Sequence, residues 1–164
     1  MLVLGIDPGS TATGYAFVSR QRGRYRLHGA GVIKTRSKDP MAERLAKIHD
    51  GIAALLVEFR PQQCAIEAIF RHKSSESALR LGQARGVALL ALGRLGQPVH
   101  EYNAMTVKKT VAGSGRADKD QVRRMVEALL GQAIEGPHDA ADAVAIAITH
   151  LAHTPRQQAL ERRR

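Results

Sequence analysis

Four carboxylates, Asp7, Glu67, Asp139 and Asp142, stand where chemistry can use them. Asp7 ends the apolar run Leu2 to Ile6, and Glu67 ends Cys64-Ala-Ile, so both are read at the rim of a sheet, where side chains at strand ends emerge. Asp139 and Asp142 are three apart at the start of a helical stretch and share one face. Oxygen-only ligands favour Mg²⁺ or Mn²⁺ over zinc. Two such ions about 4 Å apart can activate a water and stabilise the leaving oxygen of a phosphodiester. The chain is otherwise strongly basic, with 25 Lys plus Arg against 15 Asp plus Glu and a formal net charge of +10. Carboxylates alone repel a polyanion, but divalent cations between the two turn that repulsion into a catalytic clamp. The combination predicts a metal-dependent nuclease.

Each carboxylate also has a purely structural reading. Asp7 before Pro8-Gly9 suits a turn, and Asp139 in the first turn of a helix suits the cap and the dipole. Glu67 is harder to explain that way. It interrupts Cys64-Ala-Ile-Glu-Ala-Ile-Phe70, where an unpaired buried charge costs several kcal/mol and calls for a partner or a metal. The single Cys64 lies in the same apolar run, which fits a buried inert thiol better than a nucleophile.

These residues need elements to position them. A chain of 164 residues with 44% apolar content suits one compact domain, read here as residues 1–153, followed by a basic tail from 154 to 164. The clearest apolar stretch, Val87 to Leu92, is far shorter than the roughly 20 residues of a spanning helix. The first residues lack the basic region of a signal peptide. A cytoplasmic protein without membrane contact is expected. Leu2 to Ile6 and Thr13 to Val18 read as a hairpin around Asp7-Pro8-Gly9-Ser10, with Tyr25 to Lys34 as a third strand. Leu45, Ile48, Ile52, Leu55, Leu56 and Phe59 give Met41 to Phe59 a helical period. Strands at Cys64 to Glu67 and Val99 to Tyr102 alternate with helices at about 75–95, 106–111, 119–130 and 139–153. Asp118 and Gln121 have the capping-box spacing. The pattern is α/β with a mixed five-stranded sheet flanked by helices.

Asp7-Pro-Gly-Ser-Thr-Ala-Thr-Gly-Tyr15, Ile66-Glu-Ala-Ile-Phe70, Ser77-Ala-Leu-Arg-Leu-Gly-Gln-Ala-Arg-Gly86 and His138-Asp-Ala-Ala-Asp-Ala143 resemble the RuvC family of bacterial Holliday junction resolvases. The resemblance runs in order from about Met1 to Leu151. It implies a ribonuclease H-like three-layer fold and a symmetric homodimer that nicks two opposing strands of a four-way DNA junction, leaving 5′-phosphate and 3′-hydroxyl ends. The matching positions Asp7, Glu67, Asp139 and Asp142 would hold two Mg²⁺ or Mn²⁺ ions. Some members carry histidine at one acidic position; here aspartate stands at 139, with His138 as a neighbour. The RuvA and RuvB branch-migration proteins are implied partners.

Further roles follow from the resemblance. Phe70 matches an aromatic beside the DNA strands at the junction centre, where stacking on an unpaired base is the mechanism and core packing the alternative. Lys108 and Lys119 match functional lysines near the scissile phosphate, with Lys109 adjacent to the first. By charge and loop position alone, Arg71, His72, Lys73, Arg116 and Lys119 add positive charge near the catalytic rim that positions DNA without reading bases. Gly82 and Gly86 are four apart in the helix matching the family's dimer helix. They leave a smooth strip for a second helix or, alternatively, for the chain's own sheet. Three other readings share parts of this pattern. A different ribonuclease H-like nuclease would share the acidic cluster, an actin-like ATPase or sugar kinase fits the Asp7-Pro-Gly-Ser-Thr11 loop loosely, and a non-catalytic junction binder explains the basic charge but gives Glu67 no task.

Overall fold

The computed structural model describes residues 1–68, 75–94, 96 and 98–161, with the last helix described by its backbone alone beyond 154. Five strands form one sheet: β1 (Leu2–Asp7), β2 (Ala12–Gln21), β3 (Arg24–Lys34), β4 (Gln63–Glu67) and β5 (Val99–Tyr102), in the order β3-β2-β1-β4-β5. The two hairpin pairs, β1–β2 and β2–β3, are antiparallel, while β4 runs parallel to β1 and β5 parallel to β4. The expected mixed five-stranded sheet is the observed one.

The period-2 alternation of the strands divides the core into two layers. Leu4, Ile6, Phe17, Cys64 and Ile66 pack against α1 (Met41–Phe59) and α2 (Ser75–Gly93). Val3, Ala16, Val18 and Ala65 face the other way, towards α3 (Ala104–Ala112), α4 (Lys119–Leu130) and α5 (His138–Glu161). Phe17 and Phe59 stack with ring centroids 4.1 Å apart and fix α1 on its layer. Cys64 is fully buried, and burial pushes its thiol up to about 12, so it is inert as expected.

Helix limits differ from the sequence expectation where local capping decides. α3 starts at Ala104 because Asn103 Oδ1 accepts from the Thr106 amide at 2.8 Å, and Gly113 closes the helix in the left-handed region at φ 74°. The Asp118–Gln121 capping box is complete, at 2.8 and 2.9 Å. α2 ends at Gly93, earlier than its expected end at 95. α5 runs on to Glu161, so the tail expected from 154 begins inside this helix. Thr154 is buried there, and its hydroxyl donates to the His150 carbonyl at 2.8 Å, which carries the packed face past His153.

Beneath α5 lies a buried polar network. His150 is fully buried; its Nδ1 bonds the Tyr102 hydroxyl at 2.9 Å and its Nε2 bonds Gln63 Oε1 at 2.7 Å, with the His100 ring 4.3 Å away. Burial, followed by the charges of His100 and His153, lowers the His150 pKa from 6.5 to about 4. The unfolded chain therefore takes up this proton first, and the stability held by neutral His150 is lost as pH falls from 6.5 through 4. Melting temperatures are expected to drop across that window. His150→Gln should lower stability at neutral pH by about 1 to 3 kcal/mol for the disrupted network and flatten the acid limb. An unchanged acid limb would contradict this assignment.

Candidate active site

Strand parity sends Asp7 and Glu67 to the same face. Val3 and Gly5 of β1 and Ala65 of β4 face α5, so the next alternate positions, Asp7 and Glu67, project towards it as well. Ile6 pairs with Ile66 across the parallel strands, which sets the two carboxylates side by side at the carboxyl ends of β1 and β4. The third carboxylate arrives on α5. Asp7 pairs with Gly14 of β2, and a Cβ at Gly14 would stand 2.0 Å from the Asp139 carbonyl oxygen. One at Gly5 would stand 2.2 Å from the Ala143 carbonyl oxygen. Two absent side chains thus let the first turns of α5 rest on the sheet, with Asp142 over the strand ends.

Asp7, Glu67 and Asp142 line one cavity of about 270 Å³ together with Lys108 and Lys119, walled by Val107, Val122 and Ile146. Lys119 Nζ donates to Asp142 Oδ2 at 2.8 Å, a contact that raises the lysine's pKa. Asp7 is pushed up to about 8, first by burial and then by the negative charges of Glu67 and Asp142. Glu67 is also raised, again by burial first. The two carboxyl groups are close enough to interact directly, and with Asp7 raised to about 8 the pair keeps a proton near neutral pH.

The arrangement is short of positive charge, and its donors are all oxygen. It therefore fits a hard divalent cation, which would replace the pair's proton. Among the described residues no three His, Cys, Asp or Glu side chains are placed so that together they could hold a metal ion as they stand. The carboxylates turn instead to one another and to Lys119.

The other expected residues fall in distinct places. Asp139 is half-buried in the first turn of α5; it does not line the cavity, although its charge acts on Lys119. The expected convergence of four carboxylates is thus a cluster of three with Asp139 alongside. His138 Nε2 lies 3.7 Å from Asp120 Oδ1 on α4 and stands outside the cavity lining. Lys108 lines the cavity and Lys109 does not. Arg116 borders a separate concavity of about 400 Å³ with Ser114, Gln121 and Arg124. Phe70, Arg71, His72 and Lys73 lie outside the described residues. At Gly82 and Gly86 an added Cβ would meet nothing within 4 Å, while Ala84, Ala88, Ala91 and Leu92 form the buried side of α2. The two glycines therefore do not serve contact with the chain's own sheet.

Two positioning residues escape the sequence reading. Arg44 is buried, and its Nη2 and Nε donate to the Ser10 carbonyl at 2.6 and 3.1 Å, pinning the loop that follows Asp7. The signal was visible, since Arg44 falls in register with Ile48, Ile52 and Leu56 on the buried stripe of α1. Arg85 Nε donates to the Glu67 carbonyl at 3.1 Å, and its guanidinium also pairs with Glu101. Sequence periodicity carries no signal for that contact, because it joins α2 to the ends of β4 and β5.

Residues 3–150 match the family model for "Crossover junction endodeoxyribonuclease RuvC". The chain belongs to the RuvC family. A crossover junction endodeoxyribonuclease RuvC from Geobacter sp. (strain M21) is 47% identical over 160 residues, covering 98% of this chain and 97% of that one. The solved structure of Thermus thermophilus RuvC superposes with a TM-score of 0.86 at 37% identity, over 96% of this chain and 97% of that one. T. thermophilus RuvC in complex with a Holliday junction substrate gives the same TM-score at 35% identity, over 95% of this chain and 96% of that one. The ribonuclease H-like expectation for this RuvC-family chain is met.

The proton kept by Asp7 and Glu67 has two measurable consequences. Calorimetry of Mn²⁺ binding in buffers of different ionisation enthalpy should show proton release near pH 7 and affinity that strengthens as pH rises towards 8. Affinity independent of pH, without proton release, would contradict the arrangement. In the cation-free protein the sign is opposite. Asp7 is raised from 3.8 to about 8, so its protonation stabilises the fold below 4, and that contribution is lost as pH rises through 8. Asp7→Asn should accordingly raise the melting temperature most above pH 8.

Proposed function

We propose that this RuvC-family protein is a Holliday junction endonuclease that hydrolyses two opposing strands of a four-way DNA junction in paired, symmetric nicks. The observation that carries the reading is one cavity holding Asp7, Glu67 and Asp142 with Lys108 and Lys119. No hydroxyl or thiol side chain lines that cavity among the described residues, which favours direct attack by water over a covalent enzyme intermediate. Asp7, Glu67 and Asp142, with Asp139 alongside, would hold two Mg²⁺ or Mn²⁺ ions. Bound there, these would make a water nucleophilic at neutral pH and stabilise the departing 3′ oxygen, leaving 5′-phosphate and 3′-hydroxyl ends. Lys119 holds Asp142 in place, and Lys108 faces the same space, so both ammonium groups are set to offset phosphate charge.

A homodimer supplies the symmetry that paired nicks need. The outward side of α2 supports it: Leu79 and Leu90 are 63% and 56% exposed, and Gly82 and Gly86 lie between them in helical register, forming a long apolar strip. Phe70, Arg71, His72 and Lys73, between β4 and α2, are assigned to the DNA strands near the junction centre, and Arg116 to an outer phosphate. The nuclease domain takes in residues 1–153 and the continuation of α5 at the buried Thr154, with basic residues beyond adding positive charge. Family membership adds RuvA and RuvB as partners in the cytoplasm. Among the described residues no helix is long and apolar enough to cross a membrane.

Strand-resolved cleavage of a mobile four-way junction with Mg²⁺ or Mn²⁺, beside a linear duplex, tests the proposal. Ligatable, symmetric nicks confined to the junction are expected. Glu67→Gln should reduce cleavage at least about 100-fold, on the scale of losing transition-state charge stabilisation, and leave junction binding within about twofold. Normal turnover in that variant would overturn the assignment of Glu67.

A further inference from the structure

Between Asp7 and Asp39 the sequence contains no acidic residue, yet Arg20, Arg22, Arg24 and Arg26 crowd into the turn joining β2 to β3. The hairpin overhangs the sheet. β1 pairs with β2 only as far as Leu2 with Ser19, whereas β2 and β3 continue to Gln21 with Arg24. All four arginines are exposed, and none forms an ion pair or a side-chain hydrogen bond among the described residues. Arg20 leans over the Tyr25 ring at 5.3 Å. Arg22, Arg24, Tyr25 and Arg26 border an open concavity of about 660 Å³.

The turn itself is a second observation. Arg22 and Gly23 have φ values of 48° and 81°, the left-handed pair of a two-residue hairpin turn. Asparagine or glycine suits the first of these positions; an arginine there accepts backbone strain to place a cation at the tip. The register shift beside Phe17 and Val18 leaves His28 as the extra residue, a bulge that re-aims the distal hairpin.

Position and chemistry together select the ligand. Arg22 follows Gly14, the partner of Asp7, by eight residues. At about 3.3 Å per strand residue the tip lies about 26 Å from the carboxylates, or about 8 base pairs of duplex. Arg24 and Arg26 lie on one face of β3, about 7 Å apart, comparable with neighbouring phosphates on one strand. An acidic protein partner would call for an apolar centre to its interface. Apart from Met1, however, the exposed large apolar side chains among the described residues all lie on helices.

We infer that the β2–β3 hairpin is a second DNA contact, its arginines clasping phosphates of a duplex arm remote from the cleavage point and independent of base sequence. This rests on the junction-endonuclease reading. The test compares wild type with a variant in which Arg20, Arg22, Arg24 and Arg26 are all replaced by Gln, on junctions with long arms of about 20 base pairs or short arms of about 6, chosen to exceed or fall short of the 8-base-pair span. With long arms the variant should lose about tenfold or more in affinity, and its salt slope should shrink by about 2 to 4. Binding and cleavage of short-armed junctions should match wild type. Arg22→Asn alone should keep or raise the melting temperature while weakening long-arm binding, which separates charge from folding. Equal affinity and slope on long arms, or equal losses at both arm lengths, would overturn the inference. So would unchanged DNA binding accompanied by hairpin-dependent retention of poly-glutamate, which would assign the hairpin to an acidic protein. If wild type shows no preference for junction over linear duplex, the failure lies with the endonuclease reading instead.

Discussion

Helix α5 lies so close to the sheet that a methyl group at Gly14 would stand 2.0 Å from the Asp139 carbonyl oxygen, and one at Gly5 2.2 Å from that of Ala143. Such closeness is possible only where the strand offers hydrogen in place of a side chain. The helix answers with small residues: Ala140, Ala141, Ala143, Ala145 and Ala147 are all buried. Everything at the candidate site follows from this seat. It brings Asp142 over the strand ends where Asp7 and Glu67 already sit side by side. It also places Lys119 of α4 within 2.8 Å of Asp142. The cost falls on the half-buried carboxylates: burial first, and then the charges of Glu67 and Asp142, push Asp7 up to about 8.

Two electrostatic regimes coexist in one small protein. The cavity has too many carboxylates for its counter-charge, which suits cations. The rest of the chain has too many cations, which suits a polyanion. A phosphodiester drawn in by the outer field meets the inner one only through bound metal or through Lys108 and Lys119. The structure keeps the regimes apart by geometry: the carboxylates emerge at the carboxyl ends of β1 and β4, while the arginine-rich hairpin projects from the opposite end of β2 and β3. Arg44 and Arg85 belong to neither regime. Both donate to backbone carbonyls, Arg44 to that of Ser10 and Arg85 to that of Glu67 while also pairing with Glu101, and they hold the loop and strand that present the two acids.

Much of this was legible in the sequence because the strongest patterns are periodic. The apolar stripe from Leu45 to Phe59 specified α1, the apolar run Cys64-Ala-Ile ahead of Glu67 specified β4, and Asp118 with Gln121 marked the start of α4. The same logic read Asp7 and Glu67 as rim residues before any register was known. What escaped was set by tertiary geometry. Asn103 starts α3 through a single cap that a periodicity argument does not weigh. Asp139 and Asp142 share a helical spacing, yet only the packing of α5 on Gly14 determines that Asp142 lines the cavity and Asp139 does not. Lys108 and Lys109 are equivalent as composition; the turn of α3 separates them. Gly82 and Gly86 left two readings open, and the absence of any neighbour within 4 Å of an added Cβ among the described residues, the sheet included, removed the one in which they touch the sheet.

The central claim is that the seat formed by Gly14 assembles the carboxylate site. The most direct measurement is Mn²⁺ binding by calorimetry on Gly14→Ala, with circular dichroism and a melting curve to establish that the variant is folded. The account predicts a folded but less stable protein in which Mn²⁺ affinity falls at least about tenfold, a loss of roughly 1.4 kcal/mol, because the helix must shift to admit the methyl group. A folded Gly14→Ala protein that binds Mn²⁺ as tightly as wild type would contradict it.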